Sequence, residues 1–224
     1  MLRSEHILKG LGNQYYRATY KSMGFTTEDL KRPLIGIANA WSECVPGHYN
    51  LRQVAQRVKD GIYRAGGTPI EQGIIGGCDG MGQGHDGMHF IMPSRELIAN
   101  SIESMAQINL FDGLVLLGSC DKIVPGMLMA AARLDIPCIF LPGGPMEGGV
   151  EFDGRQADQT SATEAYGMLS AGKITEAEYV ALEDTACPGC GSCAGMYTAN
   201  SMNCLSEAIG MALPGNGTTP AVSA

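Results

Sequence analysis

The stretch Gly113-Leu-Val-Leu-Leu-Gly118 is a run of apolar residues without polar alternation. Such a run is typical of a β-strand that is covered on both faces, as in a parallel sheet. Similar runs predict three further strands, at residues 34–39, 69–75 and 137–141. The sequence therefore predicts four buried strands.

The segments between these strands change to a helical period. In residues 48–65 the apolar side chains fall on one helical face, and Gly66-Gly67 supplies the stop. Residues 94–108, with Ser94 as N-cap, and residues 126–134 are also predicted to be helical. This alternation predicts an α/β fold, with a parallel sheet flanked by helices in three layers, α/β/α.

Ligands of such sheets bind beyond the carboxyl ends of the strands. The loops expected there are rich in Gly, Pro, Cys, Asp or His, and they cover residues 39–48, 76–93, 119–125 and 142–149. We therefore expect a functional site to be built from these loops.

After residue 150 the pattern is mostly helical and carries several cysteines. Helices are predicted at residues 157–170, 175–185 and 194–212, interrupted by the loop Cys187-Pro-Gly-Cys-Gly-Ser-Cys193. Residues 214–224 are loop-like and contain no closing element. We therefore expect the chain to be truncated at its C-terminal end.

The composition is that of a globular protein: of 224 residues, 45% are hydrophobic and 17% are charged. The 15 Lys and Arg residues are scattered and are outnumbered by 23 Asp and Glu residues, which gives a formal charge of -8. This balance argues against nucleic acid and anionic membranes as partners. No apolar run approaches the roughly 18 residues of a membrane helix.

The cysteines and the first residues bear on location. Arg3, Glu5 and Lys9 stand where a signal peptide would have its apolar core, so a cytoplasmic location is predicted. In that compartment the eight cysteines are expected to be thiols, either buried or metal-bound.

The loop Cys187-Pro-Gly-Cys-Gly-Ser-Cys193 is the most specific metal-binding pattern in the chain. It allows a structural zinc site, an iron–sulfur site or a redox pair. Zinc needs a fourth ligand, but no second CxxC or HxxxH is nearby. The run of a bacterial ferredoxin needs a fourth cysteine where this chain has Tyr197, so electron transfer is disfavoured.

A cluster short of one thiolate would have an iron with an open coordination position. Such an iron can act as a Lewis acid on a substrate hydroxyl, which favours dehydration. Such a centre would also give a role to Asp79 and to the sequence Cys120-Asp-Lys122, which directly follows a predicted strand. The carboxylates of Asp79 and Asp121 suit Mg²⁺, which prefers oxygen ligands.

The sequence Gly82-Gln-Gly84-His-Asp-Gly87 matches the dinucleotide fingerprint G-x-G-x-x-G. That fingerprint needs a helix to begin at once, so that amide groups point at a pyrophosphate. Pro93 is expected to delay the helix, and we therefore do not predict a dinucleotide site.

Several motifs together resemble dihydroxy-acid dehydratase, and they occur in order over nearly the whole chain. They are Asn39-Ala-Trp-Ser-Glu-Cys-Val-Pro-Gly-His48, Cys78-Asp-Gly80, Pro93-Ser-Arg-Glu96, Cys120-Asp-Lys-Ile-Val-Pro-Gly-Met127, Gly143-Gly-Pro145, Cys190-Gly-Ser-Cys-Ala-Gly-Met-Tyr-Thr-Ala-Asn-Ser-Met202 and Pro214-Gly-Asn-Gly217. Each motif is weak alone, whereas the ordered set is highly specific.

The resemblance implies loss of water from 2,3-dihydroxy-3-methylbutanoate, or from its isoleucine homologue, to give the 2-oxo acid in valine and isoleucine synthesis. It implies that Cys120 and Cys193 bind an iron–sulfur cluster. Asp79 and Asp121 would bind Mg²⁺, and Lys122 would be carbamylated to give a further oxygen ligand. It also suggests a homodimer.

The chain departs from the family pattern in two respects. Members with a [2Fe-2S] cluster have a third cysteine where this chain has Gly47, whereas the Pro46-Gly-His48 version is associated with [4Fe-4S], which we therefore favour. Cys190 is our first candidate for the third thiolate, ahead of the cysteines at positions 187, 44 and 78. The family's serine base and a Mg²⁺-binding glutamate lie in a C-terminal domain that this chain lacks, so we expect the chain alone to be inactive.

Two other functions remain open at this point. A sugar-acid dehydratase of the same superfamily, acting on gluconate or xylonate, would use the same cluster chemistry. A non-catalytic module with structural zinc in the CxxCxxC loop is the alternative from a different class.

Overall fold

Four parallel strands form the centre of the protein in a computed structural model that describes residues 1–223. Along the sheet the strands are ordered β2-β1-β3-β4. Their bounds are Leu34–Asn39 for β1, Thr68–Gly73 for β2, Gly113–Gly118 for β3 and Cys138–Pro142 for β4. All four predicted strands are confirmed within two residues at each end, and the α/β fold class is confirmed.

Helices precede the sheet and connect its strands. Two short helices, α1 (Glu5–Leu8) and α2 (Gln14–Ser22), come before β1. The connections are α3 (Leu51–Arg64) between β1 and β2, α4 (Asp79–Gly82) and α5 (Met88–Ile108) between β2 and β3, and α6 (Ile123–Leu134) between β3 and β4. Each connection returns the chain to the same edge of the sheet, which places the ends of all four strands side by side.

The predicted start of α5 is wrong. The helix begins at Met88 and contains Pro93, and the Ser94 hydroxyl donates to the carbonyl of Ile91 at 2.6 Å instead of capping a helix start. The glycine motif at residues 82–87 therefore does run directly into a helix. It still lacks the strand-to-helix turn of a dinucleotide site, because α4 stands between that motif and β2.

The core lies on the sheet and between α5 and α6. The two inner strands β1 and β3 are almost wholly buried, as their lack of alternation predicts. Helices α5 and α6 approach closely at Gly126, where a Cβ atom would lie 2.9 Å from the Arg95 carbonyl oxygen and 3.0 Å from Ile98 Cβ. This close approach requires glycine and fixes α6 directly behind the loop at residues 119–122.

The segment after residue 150 forms a small second core beside the sheet. It consists of a two-stranded antiparallel ribbon, β5 (Glu151–Phe152) and β6 (Arg155–Gln156), with helices α7 (Gln159–Ser170) and α8 (Glu176–Thr185). Its buried residues are Ala157, Ala165, Leu182 and Ala186. The two predicted helices are confirmed, whereas the ribbon was not predicted from the sequence.

The last helix, α9 (Thr198–Ala208), returns to the main core and contacts α6. It is shorter than the predicted helix at residues 194–212, because residues 194–197 belong to the cysteine loop. The mostly helical character predicted for the segment after residue 150 is therefore confirmed, with different bounds for its last helix.

Candidate metal centre

The loops that follow the four strands meet at the carboxyl edge of the sheet. Because β2 and β3 lie on either side of β1, the loops after these two strands face one another across the end of β1. The loop after β2 carries Cys78 and Asp79, and the loop after β3 carries Cys120 and Asp121. The sheet order thus brings together two Cys-Asp pairs that are about 40 residues apart in sequence.

Three of these side chains form a compact group of potential metal ligands. The Sγ atoms of Cys78 and Cys120 and a carboxylate oxygen of Asp79 all lie within 4.8 Å of one another. Within residues 1–223 no other set of three or more His, Cys, Asp or Glu side chains is gathered as closely. Asp79 and Cys120 were predicted site residues, whereas Cys78 was the last of four candidates for the third thiolate.

The two thiols of the group differ in acidity. The pKa of Cys78 is lowered to about 6, because the Cys120 thiol and the backbone N–H groups of Met81 and Gly80 stabilise its thiolate against the penalty of burial. The pKa of Cys120 is raised, because its thiol interacts with the Cys78 thiolate and is itself buried. The pair therefore loses its first proton more easily than a free thiol does and holds its second proton more tightly.

The backbone of Cys120 is in a conformation that L-residues rarely adopt, with φ +91°. The preceding residue is tightly held: the Ser119 N–H donates to His48 Nε2 at 3.1 Å, and Asn203 Nδ2 donates to Ser119 Oγ at 3.1 Å. Strained backbone of this kind persists where the surroundings determine it, and it is concentrated at functional sites. The residue with this backbone conformation is the one whose thiol lies beside Cys78.

Asp121 offers a buried oxygen to a cation. Its side chain is 7% exposed; Oδ2 is paired with Lys122 Nζ, while Oδ1 is buried without a hydrogen-bond partner. An unpaired buried carboxylate oxygen is costly and is best satisfied by a metal or another donor. Asp121 lies outside the close group of Cys78, Asp79 and Cys120 in the described residues, but its carboxylate oxygen, like that of Asp79, is the kind of ligand that a hard divalent ion such as Mg²⁺ takes.

The CxxCxxC loop is docked against the same edge by backbone hydrogen bonds. The Gly191 N–H donates to the Pro46 carbonyl at 3.0 Å, and the Ser192 N–H donates to the Gly144 carbonyl at 2.9 Å. A third bond, at 2.6 Å, joins the Met146 N–H to the Ser192 carbonyl. Gly191 has φ +142°, and a Cβ atom there would lie 2.4 Å from the Met146 nitrogen, so no other residue fits.

Asn200, at the start of α9, organises the inside of this loop. Its Oδ1 accepts a hydrogen bond of 2.6 Å from Ser192 Oγ, and its Nδ2 donates to the carbonyls of Cys193 and Gly195. Asn200 is only 4% exposed. Neither Asn200 nor the fully buried His48 was predicted from the sequence as a site residue, because each acts by positioning the backbone of a loop.

The three cysteines of this loop have different surroundings. The pKa of Cys193 is raised to about 11, first by burial and then by the negative charges of Cys78 and Asp79. The exposed Cys187 has its pKa raised by desolvation and by the charge of Asp158. Cys190 is partly buried, and both Cys190 and Cys193 lie outside the Cys78, Asp79 and Cys120 group in the described residues. The effect of Cys78 and Asp79 on Cys193 places that thiol within electrostatic range of the group.

The described part of the chain contains no helix that is both long enough and apolar enough to cross a membrane.

Comparison with known proteins finds similarity over the whole chain. Residues 32–224 match the family model described as dihydroxy-acid/6-phosphogluconate dehydratase N-terminal. Proteins named dihydroxy-acid dehydratase from Caldicellulosiruptor saccharolyticus and Pyrococcus abyssi are each 56% identical over 223 residues, which is 100% of this chain and 40% of the relative. One from Clostridium pasteurianum is 55% identical over 221 residues, which is 99% of this chain and 77% of the relative.

Proposed function

Because the chain belongs to the dihydroxy-acid and 6-phosphogluconate dehydratase family, we propose that it is the N-terminal, cluster- and Mg²⁺-binding domain of a hydro-lyase. The whole enzyme would remove water from 2,3-dihydroxy-3-methylbutanoate and 2,3-dihydroxy-3-methylpentanoate to give the 2-oxo acids. The chain spans about 40% of the length of the first relatives it matches. The activity is therefore proposed for the longer protein, and the 224-residue chain alone is expected to turn over no substrate.

The observation that carries the proposal is the meeting of soft and hard ligands at one edge of the sheet. Thiols of Cys78 and Cys120 lie within 4.8 Å of the Asp79 carboxylate, and the unpaired Oδ1 of Asp121 belongs to the residue next to Cys120. Sulfur suits iron, whereas carboxylate oxygen suits Mg²⁺. The proposed dehydratase needs sulfur ligands for iron and carboxylate ligands for Mg²⁺ in adjacent positions.

Cys120 and Cys193 are proposed as cluster ligands, and [4Fe-4S] is favoured over [2Fe-2S] because Gly47 replaces the cysteine associated with the smaller cluster. When bound, the cluster supplies an iron with an open position that acts as a Lewis acid on the substrate's C3 hydroxyl. The protein's contribution is to hold these thiols on loops fixed by His48 and Asn200. Cys190, the third thiolate predicted from the sequence, lies outside the close group of ligand atoms in the described residues, as does Cys193.

Asp79, Asp121 and Lys122 are proposed to hold Mg²⁺, which would orient the substrate carboxylate and C2 oxygen. As an ammonium, Lys122 pairs with Asp121 and repels a cation. Carbamylation of its amine would replace that positive charge with an anionic oxygen ligand. The Asp121 Oδ1 atom, buried without a partner, supports a cation at this position.

The partners proposed for the full-length enzyme are a small-molecule dihydroxy acid and a second copy of itself, in the cytoplasm. The net charge of -8, without clustered basic residues, supports the absence of nucleic-acid binding.

Metal analysis tests the proposal directly. Full-length protein purified without oxygen should be brown and contain iron and sulfide, and the Cys120→Ser and Cys193→Ser variants should lose both. A colourless protein that contains zinc, and keeps it in Cys120→Ser, would support a structural zinc module instead.

A sugar-acid substrate is the second candidate, because the matching family model includes 6-phosphogluconate dehydratases. The three relatives named above, at 55–56% identity, carry the name dihydroxy-acid dehydratase, which favours the branched-chain acids. Anaerobic assays of the full-length enzyme on 2,3-dihydroxy-3-methylbutanoate and on gluconate decide between them. Higher kcat/KM on gluconate would contradict our assignment.

A further inference from the structure

We propose that Cys78 is the third protein thiolate of the cluster, alongside Cys120 and Cys193. This inference rests on the proposed function, since it assumes that an iron–sulfur cluster binds at this edge of the sheet. It replaces Cys190, which spacing along the chain had favoured.

The thiols of Cys78 and Cys120 lie close together. The Sγ atoms of Cys78 and Cys120 lie within 4.8 Å of each other, although 42 residues separate them in sequence. The two loops reach this arrangement because β2 and β3 flank β1. A ligand held by Cys120 would therefore be in reach of Cys78 without a change in the fold.

The same dipeptide, Cys-Asp, follows two strands of the sheet. Cys78-Asp79 follows β2 and Cys120-Asp121 follows β3, so each loop presents one sulfur and, next to it, one carboxylate. Asp79 and Asp121 are both assigned to Mg²⁺, and Cys120 is assigned to iron. If the first loop uses its sulfur and carboxylate in the same way, Cys78 is a ligand of iron.

Cys78 is also more accessible than its partner. It is only partly buried, whereas Cys120 is buried. A ligand held by Cys120 would therefore meet a second thiol that the core does not enclose.

The remaining cysteines are placed less well. Cys44 and Cys187 are exposed, and the charge that acts on Cys187 is that of Asp158 beside the second core. Cys138 lies within β4, and Cys204 lies within α9 with its sulfur directed at the Gly217 carbonyl, 3.9 Å away. In residues 1–223 neither Cys190 nor Cys193 is part of the close group of ligand atoms, but Cys193 is near enough for the charges of Cys78 and Asp79 to raise its pKa.

The test uses the full-length protein, reconstituted without oxygen with ferrous iron and sulfide. Three variants are compared with the wild type by iron and sulfide content and by Mössbauer spectroscopy: Cys78→Ser, Cys190→Ser and the exposed control Cys44→Ser. We expect Cys78→Ser to lose most of its cluster and the other two to keep it. If Cys78→Ser retains the wild-type cluster, or if Cys190→Ser alone loses it, the assignment of Cys78 is wrong.

A second measurement needs no variant and so does not depend on how Cys78→Ser folds. The wild-type protein is alkylated with iodoacetamide before and after removal of iron by a chelator, and labelling at each cysteine is read by mass spectrometry. Cys78 should be protected by the cluster together with Cys120 and Cys193, while Cys190 should be labelled equally in both states. Equal labelling of Cys78 with and without the cluster would overturn the inference.

The two proposals fail differently. A wild-type protein that takes up no iron and sulfide refutes the proposed function, and the assignment of Cys78 with it. A wild-type cluster that survives Cys78→Ser refutes the ligand assignment alone.

Discussion

Gly47 lies directly against Ser192, so that a Cβ atom on Gly47 would come within 3.2 Å of both the Cα and the nitrogen of Ser192. This contact joins the turn after β1 to the CxxCxxC loop. The backbone of Ser192 cannot easily withdraw, because it is hydrogen-bonded to Gly144 and Met146. The space beyond the Gly47 Cα is thus filled by backbone of the CxxCxxC loop.

Gly47→Ala is expected to destabilise the protein by about 1–3 kcal/mol, because the added methyl group overpacks a rigid contact. Chemical denaturation measures this change. Gly73→Ala is the matched control, since no atom lies within 4 Å of the Cβ position at Gly73. Equal stability of the two variants would show that the loop moves away without cost.

Asn200→Asp should loosen the CxxCxxC loop by about 2 kcal/mol or more, because a carboxylate would face the carbonyls of Cys193 and Gly195 in place of an amide donor. The free energy of unfolding and the iron content of the full-length protein should both fall. Ser201→Ala, an exposed change on the same helix, should leave both within error. Unchanged iron content in Asn200→Asp would contradict the positioning role of Asn200.

His48 is expected to make stability depend on pH. Burial lowers the pKa of His48 to about 4 from an ordinary value of 6.5. The unfolded chain therefore takes up a proton before the native protein does, and native stability should fall by about 3 kcal/mol as the pH drops from 6.5 to 4. Below pH 4 this contribution is fully lost, and above 6.5 it is fully present.

The measurement for His48 is the free energy of unfolding at intervals between pH 7 and pH 4. In His48→Gln the slope over this window should be shallower than in the wild type. Parallel curves for the two proteins would show that His48 is not held neutral by the fold.

Gly126→Ala is predicted to cost about 2 kcal/mol, because its methyl group would meet the Arg95 carbonyl and the Ile98 side chain. Gly61→Ala in α3 is the opposite case: no atom lies within 4 Å of its Cβ position, and alanine should stabilise the helix by about 0.5–1 kcal/mol. Thermal or chemical denaturation of both variants checks the contrast. The explanation by close packing fails if the two changes have the same sign.

The sequence predicted the four strands closely because each is a short apolar run with glycine or proline nearby, and both signals are local. It misplaced the start of α5, because Pro93 was interpreted as a boundary although the helix has already begun at Met88. Proline lacks the N–H group of a helical hydrogen bond, but the five residues that precede Pro93 are helical nevertheless. Propensity at one position was overridden by the continuous packing of α5 on α6.

The candidate site was predicted in part. Asp79, Asp121 and Cys120 were recognisable because unusual residues directly follow predicted strands. The closeness of Cys78 to Cys120 could not be predicted from the sequence, because it depends on the order of strands in the sheet. Local sequence patterns do not encode that order. The spacing of Cys187, Cys190 and Cys193 suggested a common centre, but their surroundings in the fold differ.

The excursion from Glu147 to Cys190 begins and ends beside the same hydrogen bond, between the Met146 N–H and the Ser192 carbonyl. It builds its own small core from β5, β6, α7 and α8. The excursion is therefore an insert with its two ends tied together. A change in the length of the segment between β5 and α8 would therefore leave the backbone around Ser192 in register with the sheet.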